Sequence, residues 1–341
     1  MLLPPASCLL HLIPSLPCAT RLNAQEVSTQ DMNAECLTFQ PLYMERVWGG
    51  RKLQTHFERQ LPSANPVGES WELVDRDDAQ SIVSEVEFRG VSLHELWVSQ
   101  RTEIFGDGYD YPRFPILVKI LDACDVLSVQ VHPPAHRTIE LLDEPKTEFW
   151  YFVATDEGAG IYVGLKKGTC KNDFESALES GTVADLLHRI PSQEDDFIFI
   201  PSGRLHAIDA GNLLFEIQQN SDTTYRVFDW NRLGLDGKLR ALHLEQSLRC
   251  IDFADHEPSL GRCEDETLVA CDCFRVDRLF LKHALPANSM PKFAIFQVVS
   301  GQVSFGSRIF GRGDLFLVPA YNHRNLLKPQ NGPAKLLRTT L

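Results

Sequence analysis

The stretch LSVQVHPP, residues 127–134, decides how the rest of the chain is read. It is a short apolar run ended by two prolines, the composition of a strand. Gln130 and His132 interrupt it two positions apart. Side chains at i and i+2 of a strand point to the same face, so both polar groups look the same way. An apolar strand that carries polar side chains on one face implies an interior with something polar to bind.

Reading outward, the text from Leu37 onward alternates short strands and turns: LTFQPLYMERVWGG, GESWELVD, QSIVSEVEF, FPILVKILDA. Aromatic and β-branched residues recur, punctuated by Gly, Pro and Asp. Residues 91–100 have helical spacing. The clearest helical stretch is 171–190, where Asn172 or Asp173 can cap a first helix, Gly181 breaks it and Thr182 can cap a second. Both helices are expected to lie on the surface of a β core. DFIFIPSGRLHAI (196–208) and DLFLVPAYNHRNL (314–326) form a weak internal repeat: Asp, an apolar run, a Pro, then a His. The chain is therefore expected to be dominated by β structure, with two related barrel or sandwich units joined around the acidic, Pro- and Gly-bearing stretch 252–266.

Two further residues complete a candidate metal site with Gln130 and His132. Glu148 opens the aromatic strand KTEFWYFVAT, and His206 follows the turn PSGRLHAI. A lone His in a β protein is usually a hydrogen-bonded structural residue, and a Q-x-H pair barely changes that. The added Glu and the P-x-G-x-x-H turn do. Mixed N and O ligands suit zinc, with iron and manganese open by ligand type alone. His323, in the second unit, has no comparable partner strand, and that unit is read as metal-free.

Cations surround these ligands. Lys119 shares a strand face with Leu117 and Leu121, where an ammonium is costly without a partner or an anionic ligand. Lys146 precedes Glu148 by two residues, Glu216 and Gln218 share one face of NLLFEIQQN, and Arg226 follows in the next turn. Such a set suits an anionic or polyhydroxyl small molecule.

Composition limits the alternatives. The 341 residues are 43% hydrophobic and 23% charged, with a net charge of -13. No basic stripe for nucleic acid is present, and no apolar run is long enough to span a membrane. Nine cysteines, an odd number without a regular framework, read as free thiols in a reducing cytoplasm. The opening MLLPPASCLLHLIPSLPCAT has some features of a secretory signal but lacks a basic start, and His11, Pro14 and Pro17 break its apolar core. Residues 1–35 are read as a disordered extension, with Met32 opening the domain proper.

The motifs GESWEL, FPILVKILDA, LSVQVHPP, KTEFWYF, FIFIPSGRLHAI, LLFEIQQNSDTTYRVFDW and GDLFLVPA together resemble type I mannose-6-phosphate isomerases, zinc-dependent cupin phosphomannose isomerases, in their short bacterial form. The resemblance covers about residues 36–341. It implies two cupin (jelly-roll) units: a catalytic one over 36–255, with a small helical insert near 171–190, and a metal-free one over 266–341. The family's ligands for one zinc ion per chain fall on Gln130, His132, Glu148 and His206. Its catalytic arginine falls on Arg226, with Lys119, Lys146 and Glu216 lining the same pocket. The implied reaction interconverts mannose 6-phosphate and fructose 6-phosphate through a cis-enediol, with Glu216 the candidate base, Lys146 the candidate acid, and Lys119, Lys146 and Arg226 holding the sugar phosphate. The stretch between His132 and Glu148 is short, a departure from the long eukaryotic-type members that leaves the site entrance hard to transfer. A metal-dependent cupin oxygenase and a non-catalytic sugar-phosphate-binding cupin are the competing classes. The sequence is silent on oligomeric state.

Overall fold

Alternating apolar strands and polar turns produce a fold built from antiparallel sheets. A computed structural model describes residues 34–261 and 266–341. The expected extension over 1–35 lies, save its last two residues, outside the described residues, as does part of the expected join. Residues 34–341 form one compact unit, strand-dominated and cupin-like as expected.

A six-stranded sheet runs in the order Leu42–Gly50, Val67–Leu73, Ile116–Ala123, Asn212–Gln219, Glu148–Thr155 and Phe197–Ile200. A five-stranded sheet runs Tyr225–Phe228, Val129–Val131, His206–Ile208, Gly160–Leu165 and Leu187–Pro191. Between them Leu121, Trp150, Phe152, Ile198 and Leu214 of the first pack against Ile161, Val163 and Ile208 of the second. The outer face of the five-stranded sheet carries Val129, Val131, Ala207 and Val227, covered by Phe174 and Ala177 of one helix and Cys250 of another. The period of two thus sends Val129 and Val131 outward beneath helices and leaves Gln130 and His132 for the interior.

The helices follow local chemistry. Leu93–Ser99 begins with a reciprocal cap: the Glu95 N–H donates to Ser92 Oγ at 3.1 Å, and the Ser92 N–H donates to the Glu95 carboxylate at 2.7 Å. The stretch read as helical over 171–190 is α-helix from Lys171 to Ser180, ended by Gly181 at φ 72, with a short 3-10 turn over Val183–Leu186 after it. Cys170 takes the N-cap position, and its N–H donates to Asp173 at 2.9 Å. Thr182 takes the N-cap position of that 3-10 turn, but its hydroxyl bonds Ser180 Oγ at 2.9 Å rather than the turn's backbone. Leu187–Pro191 then pairs with Gly160–Leu165 as an edge strand: pairing to an open sheet edge overrides local helical spacing.

A third sheet carries Thr267–Ala270, Arg275–Leu281, Leu326–Thr340, Ala294–Phe305 and Arg308–Phe310 in that order, with Leu315–Val318 pairing Ala294–Phe305. It has its own core, including Phe296, Phe305, Phe310, Phe316 and Leu336, which Cys36 joins from the start of the described chain. The repeated text folds alike at first, since 197–200 and 315–318 are both strands running into Pro. His206 then enters a sheet, whereas His323 ends a 3-10 turn, its ring donating to the Ala320 carbonyl at 2.7 Å. The acidic stretch near 255 is pinned: Arg204 forks onto Asp255 at 2.8 and 2.9 Å.

Candidate active site

Register places the polar side chains. On the five-stranded sheet Gln130 sits directly between His206 and Arg226. On the six-stranded sheet Glu216 lies between Lys119 and Trp150, and Gln218 lies beside Glu148. Directly opposed residues in adjacent strands stand within side-chain reach. The turn that delivers His206 bends at Gly203, whose φ of 94 an L side chain rarely adopts.

His132, Glu148 and His206 converge, one nitrogen or oxygen from each lying within 4.8 Å of the others, and all three are buried. The His132 Nδ1–H donates to the Thr223 carbonyl at 2.9 Å, and the His206 Nδ1–H donates to the Arg204 carbonyl at 2.9 Å. A carbonyl only accepts, so both rings carry their proton on Nδ1 and turn the Nε2 lone pair inward. These Nε2 atoms lie 3.1 and 3.7 Å from the Glu148 oxygens. Burial, reinforced by the Lys146 ammonium, drives His132 down to about 3, and burial also lowers His206. Neutral imidazoles are what a metal requires. Neither Glu148 oxygen nor His206 Nε2 makes a hydrogen bond, although Lys146 Nζ stands 2.7 Å from Oε1. Buried groups left without hydrogen bonds are costly, and two inward lone pairs facing a carboxylate fit a divalent cation. Gln130 stands one strand from His206 with its amide toward the same interior.

Beside this cluster lies a cavity of about 590 Å³ whose lining includes Gln130, Lys146, Lys119, Glu216 and Arg226. His132, Glu148 and His206 lie behind its wall, joined to it through Gln130 and through Lys146, whose Nζ is 3.4 Å from His132 Nε2. Lys119 and Glu216 form a buried ion pair at 3.1 Å, and the Trp150 indole donates to Glu216 at 3.0 Å. Burial, with the Glu148 charge, holds the Glu216 carboxyl above its ordinary range against the pull of Lys119. Arg226 donates to the Ala241 carbonyl at 2.9 Å, and its buried Nε makes no hydrogen bond. Its guanidinium is therefore only partly committed to the protein.

The sequence reading missed Glu69, Trp71, Arg46 and Trp48. Arg46 forks onto Glu69 at 3.1 Å through Nε and Nη2, and the Trp71 indole donates to Glu69 at 2.7 Å. Lys119 sits 5.3 Å over the Trp71 ring. Glu69 and Trp71 stand two apart in GESWEL, the same signal that Gln130 and His132 give. Arg46 and Trp48 reach the cavity because Glu45 and Gly50 both pair with Val67, which throws residues 46–49 out of the ladder. No sequence period reveals such a bulge.

A cupin-like barrel with a buried His–Glu–His cluster able to bind a metal beside a charged cavity defines the class of protein. The family described as phosphomannose isomerase type I, catalytic domain, matches residues 36–154. The chain is 36% identical over 304 residues to the mannose-6-phosphate isomerase ManA of Bacillus subtilis, covering 84% of this chain and 94% of that one. It is 35% identical over 297 residues to the mannose-6-phosphate isomerase of Streptococcus mutans, covering 84% and 93%. A crystal structure of the Bacillus subtilis mannose 6-phosphate isomerase superposes with a TM-score of 0.80 at 29% identity, over 90% of this chain and 99% of that one. The chain belongs to the mannose-6-phosphate isomerase family and is an enzyme of that family.

Proposed function

We propose that this enzyme interconverts mannose 6-phosphate and fructose 6-phosphate through a cis-enediol, with one zinc ion held by Gln130, His132, Glu148 and His206. The observation that carries the metal reading is the buried convergence of His132, Glu148 and His206, with two inward imidazole lone pairs facing a carboxylate whose charge partner is Lys146. Zinc held there acts as a Lewis acid toward the sugar oxygens. The chain supplies the rest. Glu216, fixed by Lys119 and the Trp150 indole, takes the proton from C2, and its raised pKa brings it nearer to neutrality, where a general base works best. Lys146 acts as acid near the reacting oxygens. Arg226, with donors to spare, meets the negative charge that grows on oxygen. Lys119, Lys146 and Arg226 attract and hold the anionic substrate. The catalytic part spans 36–255 and the metal-free companion 266–341, a division supported by the third sheet's own core, to which the first part contributes Cys36. The free thiols fit a cytoplasmic enzyme.

The test is conversion of mannose 6-phosphate to fructose 6-phosphate before chelation, after it, and with zinc restored. Activity should vanish and return, and chelation should also lower the melting temperature, because a ligand bound only by the folded state stabilises it. Folded, zinc-loaded protein without turnover would favour a sugar-phosphate-binding role. Iron with oxygen uptake would favour an oxygenase.

A further inference from the structure

Away from the barrel, residues 271–274 reverse the chain between Thr267–Ala270 and Arg275–Leu281, where Ala270 pairs with Arg275. The Cys271 N–H closes the reversal by donating to the Phe274 carbonyl at 3.0 Å. It carries two free thiols one residue apart, Cys271 and Cys273, each half-buried. When neutral, the Cys271 thiol donates to the Phe274 carbonyl at 3.3 Å. When ionised, its sulfur is met by the Cys273 S–H and by the N–H groups of Cys273 and Phe274, which bring it from 9.0 down to about 6. The same hydrogen bond raises Cys273. Cys273 also lines a cavity of about 360 Å³ whose walls include Tyr111, Phe114, Pro145 and Asn220.

We propose that Cys271 and Cys273 form a redox-active dithiol that undergoes exchange with small organic disulfides, with Cys271 attacking and Cys273 resolving. The Cys271 thiolate attacks one sulfur of RSSR, forms a Cys271–SR bond and releases RS⁻. Cys273 gives its proton to solvent, attacks the Cys271 sulfur and expels the second RS⁻. The protein is oxidised by two electrons to a Cys271–Cys273 disulfide, and RSSR is reduced to two thiols. A disulfide needs Cα atoms roughly 4.4–6.8 Å apart, and a tight reversal shortens the distance between positions i and i+2. The cavity that Cys273 lines opens beside this turn and admits a small disulfide to the dithiol. Neither the isomerase chemistry nor its metal enters this reaction.

The test exposes the reduced full-length protein to oxidised glutathione at neutral pH, followed by acid quenching, alkylation and peptide mass mapping. The peptide holding both cysteines should lose two hydrogens before glutathione accumulates on the exposed Cys124 or Cys170, and fragment ions should place the bridge between 271 and 273. Cys273→Ser should stall at a glutathione adduct on Cys271, and Cys271→Ser should slow reaction at this site by at least about tenfold. Glutathione appearing first on Cys124 or Cys170, or a bridge from either cysteine to Cys263, would overturn the proposal. The hairpin turn is half-exposed, and circular dichroism of both serine variants checks that they fold.

Discussion

Glu216 illustrates how one side chain's chemistry depends on its neighbours. Burial raises its carboxyl above the ordinary range, and Lys119 at 3.1 Å pulls against that rise by favouring the ionised form. Glu216→Gln should lower turnover by about two to four orders of magnitude in a coupled isomerase assay, the range for loss of a general base. Arg226→Ala should lower it by on the order of a hundredfold, the scale of one oxyanion-stabilising donor. Turnover near wild type in either variant removes that residue from the mechanism. Lys119→Met offers a sharper test through pH. A base works ionised, so activity falls as pH drops through its pKa, and removing a cation raises that pKa. The acid limb of the kcat/KM profile should therefore move to higher pH in Lys119→Met.

At the scale of elements, the bulge at 46–49 and the adjacent GESWEL strand build a charged layer. Burial pushes the Glu69 carboxyl upward, but Lys119 and Arg46 outweigh it and bring it from 4.5 down to about 2. A carboxyl depressed by folding adds stability that is fully present above its ordinary pKa. That stability is lost as pH falls from about 4.5 toward about 2. Arg46→Ala removes one of the depressing charges, so its acid unfolding midpoint, followed by circular dichroism, should lie at higher pH than wild type. An unchanged midpoint would mean that Lys119 and the Trp71 indole suffice.

Across the whole molecule, aromatic packing couples the third sheet to the rest of the described chain. Phe293, fully buried, packs edge-on against Phe105 and Tyr109 and at a tilt against Phe114, at centroid distances of 5.4, 5.7 and 5.6 Å. Arg59 reaches across as well, holding Glu72 and donating to the Gly313 carbonyl at 2.6 Å. Phe293→Ala should cost about 3–5 kcal/mol in urea unfolding, and the wild type should unfold in one transition. Two well-separated wild-type transitions would show that this packing does not make the parts cooperative.

The residue pattern alone determined the strand content, the shared interior face of Gln130 and His132, and the residues that could ligate a metal. It could do so because a period of two and the chemistry of side chains are local properties. Sequence spacing could not show that Leu187–Pro191 would leave helix for a sheet edge, that His323 would end a surface turn while His206 entered the barrel, or that a bulge would bring Arg46 and Trp48 to the cavity. Those outcomes depend on pairing between strands far apart in the chain. Only the tertiary structure set Glu216 between Lys119 and Trp150, because register between strands, rather than composition within one, decides which charges face each other.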